Sequence, residues 1–164
     1  MPDKITLVER TRELMHRYYS QFERDPDLFM DMSLFVPYVY DREKVDSAYD
    51  QPKSDRVMFM IRHGEDIVGE VGLKNIDSAN RKCDLTIHLR DDSVKGLGYG
   101  TQAEKLMLHY AFEELGMNAV NADSVLKNTR SQHVLEKVGF RLLGEDDIFR
   151  YYRMEKEEYE RRQS

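Results

Sequence analysis

From Arg56 onward, apolar runs alternate with polar turns that contain glycine. Val57-Met58-Phe59-Met60-Ile61 ends at His63-Gly64-Glu65-Asp66, and Ile67-Val68-Gly69-Glu70-Val71-Gly72-Leu73 follows. Two such runs predict a β-hairpin. After a second polar turn, Asp77 to Lys82, the residues Cys83, Leu85, Ile87 and Leu89 alternate with Asp84, Thr86, His88 and Arg90. That two-residue period predicts a half-buried strand. Thr101 to Leu115 has helical spacing instead: Ala103, Leu106, Met107, Tyr110, Ala111 and Leu115 make one stripe, and Gly116 is placed as its cap. Ala119 to Val125 reads as a strand. Ser131, Val134, Leu135 and Val138 form the stripe of a short helix closed by Gly139, and Phe140 to Leu143 and Ile148 to Met154 make a last strand pair.

The front of the chain is less regular. Lys4 to Val8 suits a short strand, and residues 10–22 suit a helix with Leu14, Met15, Tyr18, Tyr19 and Phe22 on its apolar side. Asp27 to Tyr40, interrupted by Pro37, reads as a short helix and loop, and Asp41 to Asp50 as another helix. The order β-α-α-β-β-β-α-β-α-β-β predicts a mixed α+β sheet with helices on its faces. We read residues 1–164 as one domain whose charged tail, 155–164, frays.

Composition removes several function classes. The 164 residues carry 31 Asp+Glu against 25 Lys+Arg, a net charge of -6 that disfavours nucleic acid as a partner. No stretch approaches the ~18 apolar residues of a membrane span. Cys83 is the lone cysteine, which rules out a disulfide framework. Met1 to Arg12 has no apolar signal core, so a cytoplasmic location is expected. The five histidines have no ligand spacing with cysteine or carboxylate pairs, so no metal is expected.

The segment that carries chemistry is Lys95-Gly96-Leu97-Gly98-Tyr99-Gly100-Thr101, between a strand and the long helix. Its glycines allow a sharp turn and close approach. The helix start adds unpaired N–H groups and the positive end of the helix dipole, which suits a pyrophosphate. A Walker A loop would need Gly-Lys-Ser/Thr, and Gly100-Thr101-Gln102 lacks the lysine. A dinucleotide fingerprint would need G-x-G-x-x-G on a first βα turn, and here the spacing is G-x-G-x-G on a late strand. A third reading is the Q/R-x-x-G-x-G/A pyrophosphate loop of acyltransferases, with Lys95, Gly98 and Gly100 at its fixed positions. A glycine turn without a ligand is the plain alternative.

The surrounding residues narrow the choice. Val68-Gly69-Glu70-Val71-Gly72-Leu73, Asn75-Ile76-Asp77, the strand Asp84 to Leu89, the glycine loop, Ala111 to Gly116, Asn128-x-x-Ser131 and Glu136-Lys137-Val138-Gly139-Phe140 stand in that order. Together, Val68 to Phe140 resembles the GNAT family, in particular its spermidine/diamine N-acetyltransferases and ribosomal-protein N-terminal acetylases. The first ~55 residues carry no such motif.

The resemblance implies the GNAT fold, acetyl-CoA as co-substrate, and a primary amine as acceptor, either a polyamine or other small amine or a polypeptide N-terminus. The co-substrate would lie in a V-shaped gap between the 84–89 and 119–125 strands. Backbone groups around His88, Leu89 and Arg90 would pair with the pantetheine, and Lys95, Gly96, Leu97, Gly98, Tyr99, Gly100 and Thr101 would hold the pyrophosphate. Asn128 resembles the family's pantetheine-binding asparagine, and Lys137 lies within reach of the CoA phosphates or of solvent. Many members place an acidic tyrosine seven residues after the asparagine, where this chain has Leu135. Ser131 matches the serine of the ribosomal branch and is the acid candidate; its other reading is a first-turn residue capped by Asn128 or Thr129. Base candidates are Glu70, Asp84 and His88, with a water relay as an alternative. Cys83 falls on the apolar side of its strand, which argues against an acetyl-cysteine intermediate. The aromatic residues of the first 40 positions, acids such as Asp25 and Asp31, and Tyr151 and Tyr152 are candidates for the acceptor groove. Family members often dimerise. The rival readings are a catalytically silent acyl-CoA-binding module and a nucleotide-binding regulatory domain.

Overall fold

Residues 3–163 are described by a computed structural model. The chain runs β1 (Thr6–Glu9), α1 (Arg12–Tyr19), α2 (Arg42–Asp50), β2 (Val57–His63), β3 (Asp66–Asp77), β4 (Lys82–Leu89), α3 (Tyr99–His109), β5 (Ala119–Val125), α4 (Thr129–Val138), β6 (Arg141–Glu145), β7 (Phe149–Glu155) and α5 (Lys156–Gln163). The strands form one sheet in the order β1-β2-β3-β4-β5-β7-β6. Neighbours pair antiparallel except β4 and β5, which are parallel.

The helices cover both faces of this sheet. Met15, Tyr18 and Val45 of α1 and α2 pack with Met60 and Ile67, while Ala103, Met107, Leu135 and Val138 of α3 and α4 pack with Ile61, Val71, Leu73 and Val120. Consecutive residues Met60 and Ile61 therefore serve opposite cores, as the pleat requires. Being covered on both sides explains why β3 is buried without interruption from Ile67 to Leu73, with no polar-out alternation. Capping residues set the front helices. Thr11 Oγ1 accepts the Leu14 N–H to start α1, and Asp41 Oδ1 accepts from Glu43 and Lys44 to start α2.

The expected element order is present, with four differences. The segment Asp27 to Tyr40 holds two single 3-10 turns, Pro26–Leu28 and Met32–Leu34, nucleated by Asp25 and Asp31 side chains accepting backbone N–H groups. The long helix begins at Tyr99 and passes into a π-helical turn, Tyr110–Glu114. Its inner face is Ala103, Glu104, Met107, Leu108, Ala111 and Phe112, and Leu106, expected in the stripe, is exposed. The tail is ordered as α5, because Tyr159 buries its ring against Phe112 and hydrogen-bonds Glu113. Tyr152 belongs to the core, wholly buried, and does not face a groove. No helix among the described residues is long and apolar enough to cross a membrane.

Candidate active site

The parallel pair β4–β5 is joined only at its start, through Lys82↔Ala119, Cys83↔Val120 and Asp84↔Asn121. Both strands continue, β5 with its other edge paired to β7 as far as Val125. Beyond Asp84 the facing edges part, which opens the V-shaped gap. The antiparallel ladder with β3 decides which backbone groups look into it. The Arg90 N–H donates to Val68 O, so the His88 and Arg90 pairs are the hydrogen-bonded ones and the intervening Ile87 and Leu89 turn their backbone groups towards β5. Arg90 itself is committed within the fold: its carbonyl accepts from Glu23 N–H, and its guanidinium bonds Asp66 and Asp91. Of the three expected backbone partners, Leu89 is the one that faces the gap.

Glu70 lies directly across from His88 on β3. The Glu70 side chain is 0 % exposed, since α1 closes over this face of a central strand. Its charge is held by the Arg10 Nε–H at 2.6 Å and by the Tyr19 hydroxyl. His88 Nε2 stands 3.8 Å from Glu70 Oε1, and His88 Nδ1 is 2.8 Å from the Tyr18 hydroxyl. Burial first, and then the charge of Glu70, raise the Tyr18 pKa, so this hydroxyl keeps its proton and donates it to Nδ1. The remaining ring proton of His88 then sits on Nε2, towards Glu70. Burial lowers the His88 pKa, with Glu70 opposing, and the ring is neutral at pH 7. Rings of Tyr18, Tyr19 and Phe22 lie 5.7, 6.2 and 5.1 Å from the His88 ring, and Tyr38 lies edge-on to Phe22. Part of the front aromatic cluster thus walls the Glu70–His88 pair, while Phe29 and Phe35 pack on each other.

The glycine loop leads into α3. Gly98 is its N-cap with φ +86°, a left-handed conformation that favours glycine, and no side chain caps the helix. A Cβ added at Gly100 would meet no atom within 4 Å. The first turn therefore presents backbone N–H groups beside open space, the geometry of an anion site. Leu97 is exposed, and Tyr99 is buried against His63. Lys95 Nζ is bonded at 3.0 Å to both Asp25 and Asp92, so it ties the loop to the segment after α1.

Asn128 is the N-cap of α4: its Oδ1 accepts the Ser131 N–H at 3.0 Å. That leaves the Asn128 Nδ2 and the half-buried Ser131 hydroxyl without a bond inside the protein among the described residues. Leu135 is buried in the core, 2 % exposed, and offers no proton. Asp84 sits where the gap is closed, opposite Asn121, and accepts from Asn75 Nδ2; it is not part of the Glu70–His88 cluster. Lys137 is exposed on the last turn of α4, and its carbonyl accepts from Arg162. Cys83 is buried, and burial pushes its thiol up to about 12, which agrees with an inert cysteine. No group of three or more metal-ligating side chains comes together among the described residues.

Three partners of Glu70 and His88 are not legible as such in the sequence: Arg10, Tyr18 and Tyr19. Arg10 stands between a strand and a helix with no motif around it. The tyrosines are visible only as an apolar stripe.

Comparison with known proteins adds the following. The model of the acetyltransferase (GNAT) domain matches residues 4–141. YdaF of Bacillus subtilis (strain 168), provisionally named a ribosomal N-acetyltransferase, is 34% identical over 74 residues, 45% of this chain and 40% of that protein. The uncharacterized N-acetyltransferase p20 of Bacillus licheniformis is 22% identical over 129 residues, 76% of this chain and 72% of that one. The chain thus spans less than half the length of YdaF. Among solved structures, the spermidine/spermine N-acetyltransferase SpeG from Vibrio cholerae, in complex with manganese ions, superposes with a TM-score of 0.76 at 16% identity, over 98% of both chains. A probable acetyltransferase superposes with a TM-score of 0.77 at 21% identity, over 96% of this chain and 98% of that one.

Proposed function

This chain belongs to the GNAT acetyltransferase family, and from that membership we propose that it moves an acetyl group from acetyl-CoA directly to a primary amine. The observation that carries the reading is the parting of β4 and β5 beside the buried Glu70 and the half-buried His88, with an uncapped, glycine-lined helix start adjoining the gap. The residues fit the co-substrate: backbone N–H groups of Gly98 to Thr101 suit the pyrophosphate, and the free edge of Leu89 with the Asn128 amide suits the pantetheine amides. When bound, acetyl-CoA supplies a thioester as the acyl donor.

The chain's own groups do the rest. An ammonium has no lone pair, so the Glu70 carboxylate takes its proton through an intervening water, with the Arg10 Nε–H and the Tyr19 O–H fixing the carboxylate's orientation. The freed amine forms the new N–C bond, and the C–S bond breaks. The Leu89 N–H, aimed into the gap, stabilises the charge that develops on the carbonyl oxygen. The Ser131 hydroxyl protonates the departing thiolate and recovers its proton, through water, from the nitrogen of the new amide, which sheds its second N–H proton in that step. Asp84, tied to Asn75 at the closed end, has no part in this, and Cys83 carries no acetyl group.

The acceptor we propose is a polyamine or other small amine, or the N-terminus of a protein. Names of relatives support both: SpeG is named for spermidine and spermine, and YdaF for a ribosomal substrate. The Tyr19, Phe22 and Tyr38 rings supply an apolar wall that tolerates a cationic chain. Asp25 and Asp31, candidates for attracting it, are spent on Lys95 and on capping a turn. Exposed Leu142 and Leu143 on the edge strand β6, with exposed Ile148 in the turn after it, support a homodimer through that edge. The test of the mechanism is thiol release from acetyl-CoA by the wild type, Glu70→Gln and Ser131→Ala. Glu70→Gln should bind acetyl-CoA normally and turn over ~100-fold or more slowly, as expected for loss of a general base. A Gln variant with unchanged kcat would remove Glu70 from the chemistry.

A further inference from the structure

Among the described residues, four polar or charged ones are buried: Glu70, Glu104, Ser124 and Gln132. Three have partners. Glu70 is bonded by Arg10 and Tyr19, the Ser124 hydroxyl by backbone carbonyls, and Gln132 Nε2 by Val125 O and Leu126 O. Glu104 is the exception. It is 2 % exposed, and its Oε1 is closed off from water with no hydrogen-bond partner. A native fold seldom leaves such an atom unexplained.

Its position suggests what the partner is. Glu104 lies on α3 one turn after Gly100, on the same face. Helical side chains lean towards the N-terminus, so its carboxyl is directed back along α3 towards the first turn and its uncapped N–H groups. A charged carboxylate there would repel a pyrophosphate. Burial removes that conflict: it is the sole cause that pushes the Glu104 carboxyl up to about 8, so the acid is protonated at neutral pH and carries an O–H donor.

Building on the acetyl-CoA reading above, we infer that Glu104 is a ligand-binding residue whose carboxyl hydrogen-bonds the amide or hydroxyl groups of the pantetheine arm next to the pyrophosphate. It is a polar site placed on a helix face that is otherwise apolar: Leu108 and Phe112 follow it at i+4 and i+8, both buried. A purely structural residue at this position would be better served by leucine.

That contrast supplies the test. Wild type, Glu104→Leu and Glu104→Gln are compared by calorimetric titration with acetyl-CoA and by thermal melting. Glu104→Leu should melt at or above the wild-type temperature, because an unsatisfied buried oxygen is gone, yet bind acetyl-CoA ~3- to 10-fold more weakly. Glu104→Gln, which keeps a donor and an acceptor, should bind within about 2-fold of wild type, since its hydrogen bonds are retained. Glu104→Met serves in place of Leu should the leucine variant not fold, with the same expectation. Wild-type affinity in the Leu or Met variant would overturn the inference, as would equal weakening in Leu and Gln. Failure of the wild type itself to bind acetyl-CoA would instead overturn the functional reading on which the inference rests.

Discussion

Replacing Arg10 with methionine removes the cation that balances Glu70 and keeps most of the aliphatic bulk. Glu70 is 0 % exposed and would be left with the Tyr19 hydroxyl and the distant His88 ring. Breaking one side of a buried ion pair costs about 3–5 kcal/mol. Arg10 keeps about a quarter of its side chain in water, so part of its charge is already screened and the cost falls just below that range, roughly 2–3 kcal/mol. For a chain of this size that is a fall in melting temperature of about 5 to 10 °C. Circular-dichroism melts of wild type, Arg10→Met, Glu70→Gln and the double variant measure it. The cycle should show that the Arg10 substitution costs much less when Glu70 is already neutral. A shift below about 2 °C in Arg10→Met would mean the pair behaves as a surface ion pair worth under 1 kcal/mol. The description of Glu70 as a buried, compensated carboxylate would then be wrong.

Other expectations concern the glycine loop, the cysteine and the buried acid of α3. Gly100→Val places its branched side chain in open space, so it should melt within a few degrees of wild type, yet weaken acetyl-CoA binding ~10-fold or more, as measured by calorimetry. Unchanged affinity would detach Gly100 from the pyrophosphate site. Cys83, with its thiol pushed up to about 12, should react with a disulfide reagent at pH 8 ~100-fold or more slowly in the folded than in the unfolded protein. Fast labelling of the native thiol would contradict its burial. Glu104 has a folded pKa raised to about 8, above its unfolded value, so the folded state holds the proton longer. Stability is then full below about pH 4.5 and falls as pH rises towards 8, by at most ~1.4 kcal/mol per unit. Urea unfolding across this range should show the slope in wild type and its loss in Glu104→Gln; parallel slopes would refute the assignment.

Much of the sheet was legible because its two periods are visible in the residues. The hairpin of β2 and β3, the alternation of Cys83 to Leu89, and the glycine-closed helix of Ser131 to Val138 all appear where the pattern puts them. The family resemblance added the gap between β4 and β5, which no local pattern encodes. Misses arose where tertiary contacts overrule local character. The charged tail looked unable to bury a face, yet one tyrosine, Tyr159, finds Phe112 and orders a helix. Leu106 looked like core, but α3 turns a different arc inward, and its π-helical turn shifts the register further. The polar site was the least legible part. Glu70 read as a candidate base, but its dependence on Arg10 and Tyr19 comes from α1 folding over β3, across 60 and 51 residues of sequence. Asp84 and His88 share one strand face in sequence. The register with β5 places Asp84 at the closed end of the gap, while the pairing with β3 places His88 opposite Glu70.

Acetyl transfer from acetyl-CoA to an amine is measured by thiol release against a panel of acceptors. The panel holds spermine, spermidine, putrescine, small amino acids and peptides with alanine or serine N-termini. Amine-dependent thiol release is expected with at least one class, with an acetylated product by mass spectrometry, both slowed ~100-fold or more in Glu70→Gln. Absence of turnover across the panel, together with no acetyl-CoA binding by calorimetry, would contradict it.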